Sequence, residues 1–305
     1  MSAITRDGSA SALYMKFDKI LRSAQGMAIW QDRAFILYDT GMSGVYDLKS
    51  RTAAPLAAFP LGSYNEGMPT RDYLNHANHC MFGSLHWGDN PIPLLYVTVG
   101  TGIGADADGY YYRLSVENIV ETSAGYRAEV LQTVTYQPSE SVPAPWEAPC
   151  WGCPAFFVNN AENTLYIFSA RYRTKRGCVP EGEHNAYIIT RFDLPSLDAG
   201  PLVRLTAQDI RDQFSVASDI PFTQGGQLTD GILYYTFGCP KAGYPVHVMA
   251  FDLRKKSLLW QAGNMDEAFR GEEIECCDWY DGQLLCNTNG GSLYALRFRE
   301  EAPNG

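Results

Sequence analysis

Glu273 and Glu275 are two carboxylates in a strand-like run, spaced so that both lie on one face of the strand. Cleavage of a glycosidic bond requires two carboxyl groups about 5–9 Å apart across the sugar. Glu275 with a second carboxylate is the pair such an activity would use, and Glu147 and Glu66 are the other acidic residues expected nearby. A second polar group is formed by His76, Asn78 and His79, followed by Cys80. Imidazole and thiol suit a metal, but on a strand His76 and His79 point to opposite faces, so no metal is expected. Gln25 and Gln224 each precede a glycine, and Trp151 opens another apolar run. Together, Gln25, His76, Asn78, His79, Trp151, Gln224, Glu273 and Glu275 offer amides, carboxylates and a ring face. Such a set holds a glycan or a small polar ligand. The plainer alternative is that these groups pair with water and main-chain amides around a structural channel.

Other motifs exclude more than they suggest. Cys150-Trp151-Gly152-Cys153 is a bare Cys-x-x-Cys with no second pair at zinc-finger spacing. Asp106-Ala107-Asp108-Gly109 reads as a hairpin turn before it reads as a calcium loop. No phosphate-cradling glycine loop before a helix and no nucleophile elbow is present, and no cofactor is expected. A net charge of −10 disfavours nucleic acid, which needs a concentrated positive patch. The short basic run Arg171–Arg176 reads as a solvated hairpin tip. No apolar run approaches membrane-spanning length, and the first residues lack the apolar core of a signal peptide. The eight cysteines are scattered through apolar runs and read as buried thiols rather than a disulfide framework. Both features favour a soluble cytoplasmic protein, unless the chain is a trimmed mature form.

These side chains need a scaffold, and the scaffold repeats. Residues 224–253 give three short apolar runs separated by the turn Asp230-Gly231 and a Gly/Pro/Lys loop, a β-meander. The unit recurs with first-strand starts at Gln25, His76, Trp151, Gln224 and Glu275. An aromatic-Asp-Leu mark closes the third strand at Tyr46-Asp47-Leu48, Phe192-Asp193-Leu194 and Phe251-Asp252-Leu253, where the Asp starts a turn. Thr206-Ala207-Gln208-Asp209 has the form of a capping box and predicts a short helix to about Phe214. Five four-stranded units in one domain predict an all-β, five-bladed β-propeller, because a single blade cannot bury both faces without neighbours. The predicted blades span about 25–60, 76–136, 150–205, 224–262 and 273–298. The last unit lacks a fourth strand, which Leu13–Leu21 supplies by pairing the chain's N-terminal strand with the final blade.

On this repeat, and on Glu273-Ile274-Glu275-Cys276 before a Trp-Tyr-Asp-Gly turn and Gln224-Gly225-Gly226-Gln227, nearly the whole chain resembles five-bladed propellers. It is most similar to uncharacterised propeller proteins of gut-type bacteria. Arabinanase-like glycosidases and tachylectin-like lectins are relatives by fold. The glycosidases carry an Asp at the first inner strand where this chain has Gln25, and the lectin repeats are near-identical where these diverge. Neither functional residue set carries over, and fold alone does not license function. The expectation is a binding module with its ligand at the axial mouth, the rivals being a glycoside hydrolase using Glu275 or a platform for a protein partner. The platform would use loop aromatics expected before inner strands: Tyr64, Tyr73, Trp87, Trp146 and Trp151.

Overall fold

The computed structural model describes residues 4–5, 11–64, 76–100, 112–136, 144–147, 151–172, 179–220 and 222–296, without the side chains of 4, 5, 112 and 151–153. The chain opens with β1 (Ile4–Thr5) and β2 (Ser11–Lys16). Blade one is β3 (Ala24–Trp30), β4 (Arg33–Tyr38), β5 (Met42–Asp47) and β6 (Ala57–Pro60). Blade two contains β7 (His79–Phe82), β8 (Leu95–Gly100), β9 (Tyr112–Thr122) and β10 (Gly125–Tyr136). The third has β11 (Trp151–Asn159), β12 (Thr164–Ala170) and β13 (Ala186–Asp193), after which come β14 (Leu202–Leu205) and β15 (Asp212–Ala217). β16 (Thr223–Thr229), β17 (Ile232–Cys239), β18 (Tyr244–Asp252) and β19 (Ser257–Ala262) form the fourth, and β20 (Ile274–Tyr280), β21 (Gln283–Thr288) and β22 (Ser292–Leu296) the fifth. Five separate sheets result, the blades of a propeller.

The ring closes as the repeat requires. β2 pairs antiparallel with β22, from Ser11 opposite Leu296 to Lys16 opposite Ser292, and completes blade five. The pairing strand lies a little earlier than Leu13–Leu21. It stops at Lys16 because the chain then turns into blade one, where Asp18 donates to the Ala53 carbonyl and its own carbonyl accepts from the Tyr46 hydroxyl. Two further pairings lie across blades. β1 adds parallel to β19, and β14 leaves blade three to add parallel to β10 of blade two before β15 completes blade three. Parallel edge strands of this kind cover two outer edges that would otherwise be open templates for aggregation.

Local chemistry explains the turns. Asp230 and Gly231 (φ 52° and 79°) and Asp281 and Gly282 (φ 48° and 69°) both adopt the left-handed pair of a type I′ hairpin. The Asp of the aromatic-Asp-Leu mark caps the next turn: the Asp47 carboxylate accepts from Lys49 and Ser50 amides, and that of Asp252 from Arg254 and Lys255. The capping box at Thr206 forms, but the helix does not. Ala207–Asp209 is a single 3-10 turn, and Asp212 begins a strand because its neighbours pair with β13 and bring Phe214 onto the core.

The core lies between blades. Phe156, Phe168, Tyr187, Tyr235, Phe237 and Phe251 pack in the largest cluster, with the Phe168 and Tyr235 rings stacked 4.2 Å apart. Each such ring pair adds about 0.5–1.5 kcal/mol beyond its area. At the axis, main chain meets main chain. Gly26 N donates to the Ala77 carbonyl at 2.9 Å, and a Cβ on Gly26 would stand 2.8 Å from that oxygen. A Cβ on Gly225 would lie 2.9 Å from Cys276 Sγ and from the Glu275 carbonyl, and 3.1 Å from the Asn78 carbonyl. Blades two and four are not neighbours in the ring, yet Gly225 and Asn78 nearly touch. The two glycines let the inner strands converge until the axis is shut at this level.

Candidate ligand-binding mouth

The inner strands β3, β16 and β20 all enter from one end of the ring, so their first residues come together at that end of the axis, beside the glycine layer. Gln25 is buried, donates to Ser23 Oγ at 3.0 Å, and accepts from Asn287 Nδ2 at its carbonyl (2.7 Å). Gln224 donates to the Gly238 carbonyl (3.0 Å) and to Glu273 Oε1 (3.1 Å). Glu273 also accepts from Asn289 Nδ2 at 2.6 Å, with the Cys239 thiol nearby. Asn78, 9% exposed, has its Oδ1 lacking any donor among the described residues.

Glu275 stands differently. It is 4% exposed, its main-chain carbonyl accepts from Thr236, and no described residue donates to its carboxyl. Burial first, then the like charges of Glu273 and Asp39, push that carboxyl well above the usual carboxylate range. Asp39 comes from the turn between β4 and β5, which the up-down topology brings to the same end. Its own carboxyl is raised by burial, against the lowering influence of His76 and Arg22. His76 Nδ1 lies 3.2 Å from Asp39 Oδ1, an ion-pair distance without hydrogen-bond alignment, so the oxygen still has no donor. Cys239 beside them is no nucleophile: burial, with Glu273 next, pushes its thiol up to about 11.

Gln25, His76, Asn78, Gln224, Glu273 and Glu275 are thus brought together. His79 is not. It is fully buried, its ring centroid 4.2 Å from that of Phe157 on blade three, and both ring nitrogens lack partners. Burial depresses its imidazole to about 3, so it stays neutral. Asn78 takes the axial side, and strand alternation sends His79 to the other. The Trp151 backbone starts β11, opposite Ala170, but its side chain lies outside the described residues. So do Glu66 and Tyr73, and the side chains of the Cys-x-x-Cys run. Five cysteines that are described, Cys80, Cys239, Cys276, Cys277 and Cys286, are buried free thiols. Glu147 is committed elsewhere, bound through both oxygens by Arg171 at 2.6 and 2.9 Å. Asp278, deeper on β20, ties blade five to blade one by accepting from Ile29 N and Trp279 N, and burial raises it to about 7.

Asp39, Asn287, Asn289 and Cys239 join the mouth without having been singled out from the sequence. Asp39 reads there as an ordinary turn residue. Of the loop aromatics, Trp146 packs on the core, and Trp87, 48% exposed, follows its inner strand and lies at the opposite end. That end also holds an open cleft of about 710 Å³ where blades five and one meet. Within it Arg51 lies 4.0 Å over the Tyr14 ring and the Tyr280 hydroxyl donates to Asp32, while the buried Trp279 Nε1 has no partner among the described residues.

No protein-family model and no curated protein sequence matches the chain. Solved structures do. The crystal structure of Myxococcus xanthus glutaminyl cyclase aligns over 97% of this chain and 98% of its own, with 11% identity and a TM-score of 0.53. The tail fiber of Staphylococcus aureus phage P68 aligns over 94% of this chain and 52% of its own (9% identity, TM-score 0.44). The computationally designed Ika8 protein aligns over 93% and 73% (11%, 0.32). At these identities the likeness to the cyclase is one of fold, and the two weaker ones carry no argument.

Proposed function

We propose that this propeller is a binding module that takes a small polar ligand, a glycan or another polyol in the first instance, at its axial mouth. The observation that carries the reading is Glu275: a carboxyl on a residue only 4% exposed, repelled by two neighbours and given no donor by any described residue. An unmet buried acceptor costs about 1–3 kcal/mol, and a fold that tolerates one at the end of the axis leaves it for a ligand. Close main-chain packing at Gly26 and Gly225 underlies this end of the axis, and Gln25, Gln224 and His76 at the starts of inner strands supply fixed polar contacts that orient a small molecule.

A second reading rests on one specific feature. Glu273 is supplied with donors and Glu275 with none, so the same residue type sits in two environments, the arrangement that separates an acid from a base in hydrolases. Asp39, approaching from blade one, is a further carboxylate for such a pair. Turnover of aryl glycosides, lost in Glu275→Gln, would favour this reading over binding alone. The primary test is a glycan array with purified protein, in parallel with Glu275→Gln. Binding that falls at least about tenfold in the variant supports the mouth, that factor corresponding to 1.4 kcal/mol. Binding unchanged by the substitution, or no binding to any glycan, ends the glycan reading.

A further inference from the structure

Among the described residues, the side-chain atoms left without partners at the mouth are of one kind. Asp39 Oδ1, Asn78 Oδ1 and Asn287 Oδ1 are buried oxygens with no donor, and the Glu275 carboxyl adds a fourth acceptor. The Asn287 assignment is fixed chemically, because its nitrogen donates to the Gln25 carbonyl and its oxygen therefore faces the other way. A neutral sugar hydroxyl both donates and accepts, and would find no unmet donor among these atoms. An ammonium has three N–H donors and no acceptor. Its positive charge also answers the three carboxyls, Asp39, Glu273 and Glu275, which face one another across blades one and five. A compact metal ion fits worse: both Glu273 oxygens are already occupied, by Gln224 and Asn289, and no group of three metal-binding side chains gathers among the described residues.

We propose that the mouth recognises its ligand through a primary ammonium group, with Glu275, Asp39 and the Asn78 and Asn287 carbonyls accepting its hydrogen bonds. This rests on the reading of the mouth as a small-ligand site and narrows its ligand class to amines, amino sugars among them. The chain's net charge of −10 steers cations towards it. Binding has a proton signature. Burial favours the neutral form of Glu275, and an ammonium beside it favours the carboxylate, so the Glu275 carboxyl gives its proton to the buffer as the amine docks. The other ionisable groups around it are Glu273 on the same strand, Asp39 from blade one with His76 and Arg22 acting on it, and Cys239 from blade four.

The test is calorimetric titration of the full chain with glucosamine, N-acetylglucosamine, glucose and ethanolamine, below the amines' own pKa and in two buffers of different ionisation enthalpy. The expected result is glucosamine binding at least about tenfold tighter than the two neutral sugars. Its apparent enthalpy should change with buffer, as proton release requires, and affinity should rise with pH. Glu275→Gln should abolish both the preference and the buffer dependence. Ethanolamine binding with no sugar binding supports the ammonium and removes the glycan. Glucose or N-acetylglucosamine binding as tightly as glucosamine overturns the ammonium and leaves the small-ligand reading in place. No binding by either amine overturns the inference outright, whatever the neutral sugars do.

Discussion

Glu117 and Glu275 are the same residue type, both buried, and wired in opposite ways. Glu117, on β9 of blade two, is 0% exposed and accepts from Gly62 N at 2.7 Å, Ser63 N at 3.3 Å, and the Ser63 and Ser115 hydroxyls. Its donors come largely from the segment that leaves blade one, so this carboxyl holds that segment against blade two. Gly62 is needed there, since a Cβ would stand 2.6 Å from Val130 N. Glu275 is 4% exposed and its carboxyl has no donor among the described residues. Burial raises both carboxyls, but at Glu117 four hydrogen bonds act against the rise, whereas at Glu275 the neighbouring charges add to it. The contrast separates a carboxyl kept for the fold from one kept for something that arrives. Burial alone does not distinguish them; the count of donors does.

The largest expected effect removes the frame of one member of the pair. Deleting residues 1–22 takes away β1 and β2, exposes the edge of β22, and leaves the blade bearing Glu275 open. Loss of soluble, cooperatively melting protein is expected by circular dichroism; a product as stable as the full chain would contradict the closure. Next comes Glu117→Ala, which leaves its donors buried and unpaired. A loss of about 3 kcal/mol is expected, read as a lower urea midpoint at unchanged slope. A change within about 0.5 kcal/mol would erase the distinction from Glu275.

The pH dependence follows with a smaller effect. Both glutamates have folded pKa values above the ordinary 4.5, so above about that pH the unfolded chain gives up protons that the native state retains. Their contribution to stability is present at low pH and declines as pH rises from about 4.5 towards the raised values. Melting temperature followed against pH should show this decline flattened by Glu275→Gln and less so by Glu117→Gln, because the upward displacement is larger at Glu275. Equal flattening by both would remove the contrast.

Much of this architecture is legible in the sequence because turns and strand period are local. Asp230-Gly231 and Asp281-Gly282 announce hairpins, and the recurring aromatic-Asp-Leu marks third-strand ends. The missing fourth strand of the last blade announces closure by the N-terminal strand. The parallel additions of β1 and β14 leave no such trace: two- and four-residue strands carry too little pattern, and their partners lie far along the chain. In the mouth, Gln25, Gln224, Glu273 and Glu275 are legible as first residues of inner strands. His79 misleads by one position, since the hydrogen bond from Gly26 to Ala77 sets a phase that turns Asn78 to the axis and His79 between blades. Asp39 is hidden because a turn carboxylate becomes part of a site only once the ring folds it towards blade five.

Equilibrium unfolding of Glu275→Gln beside Glu117→Gln, at neutral pH and without ligand, decides between a site and a second structural latch. Glu275→Gln should be as stable as the parent or up to about 1 kcal/mol more so, as expected where an unpaired group is retained for binding, while Glu117→Gln should lose about 1–3 kcal/mol. Equal destabilisation by the two substitutions would show that Glu275 holds the fold together and that the mouth is not a place kept for a ligand.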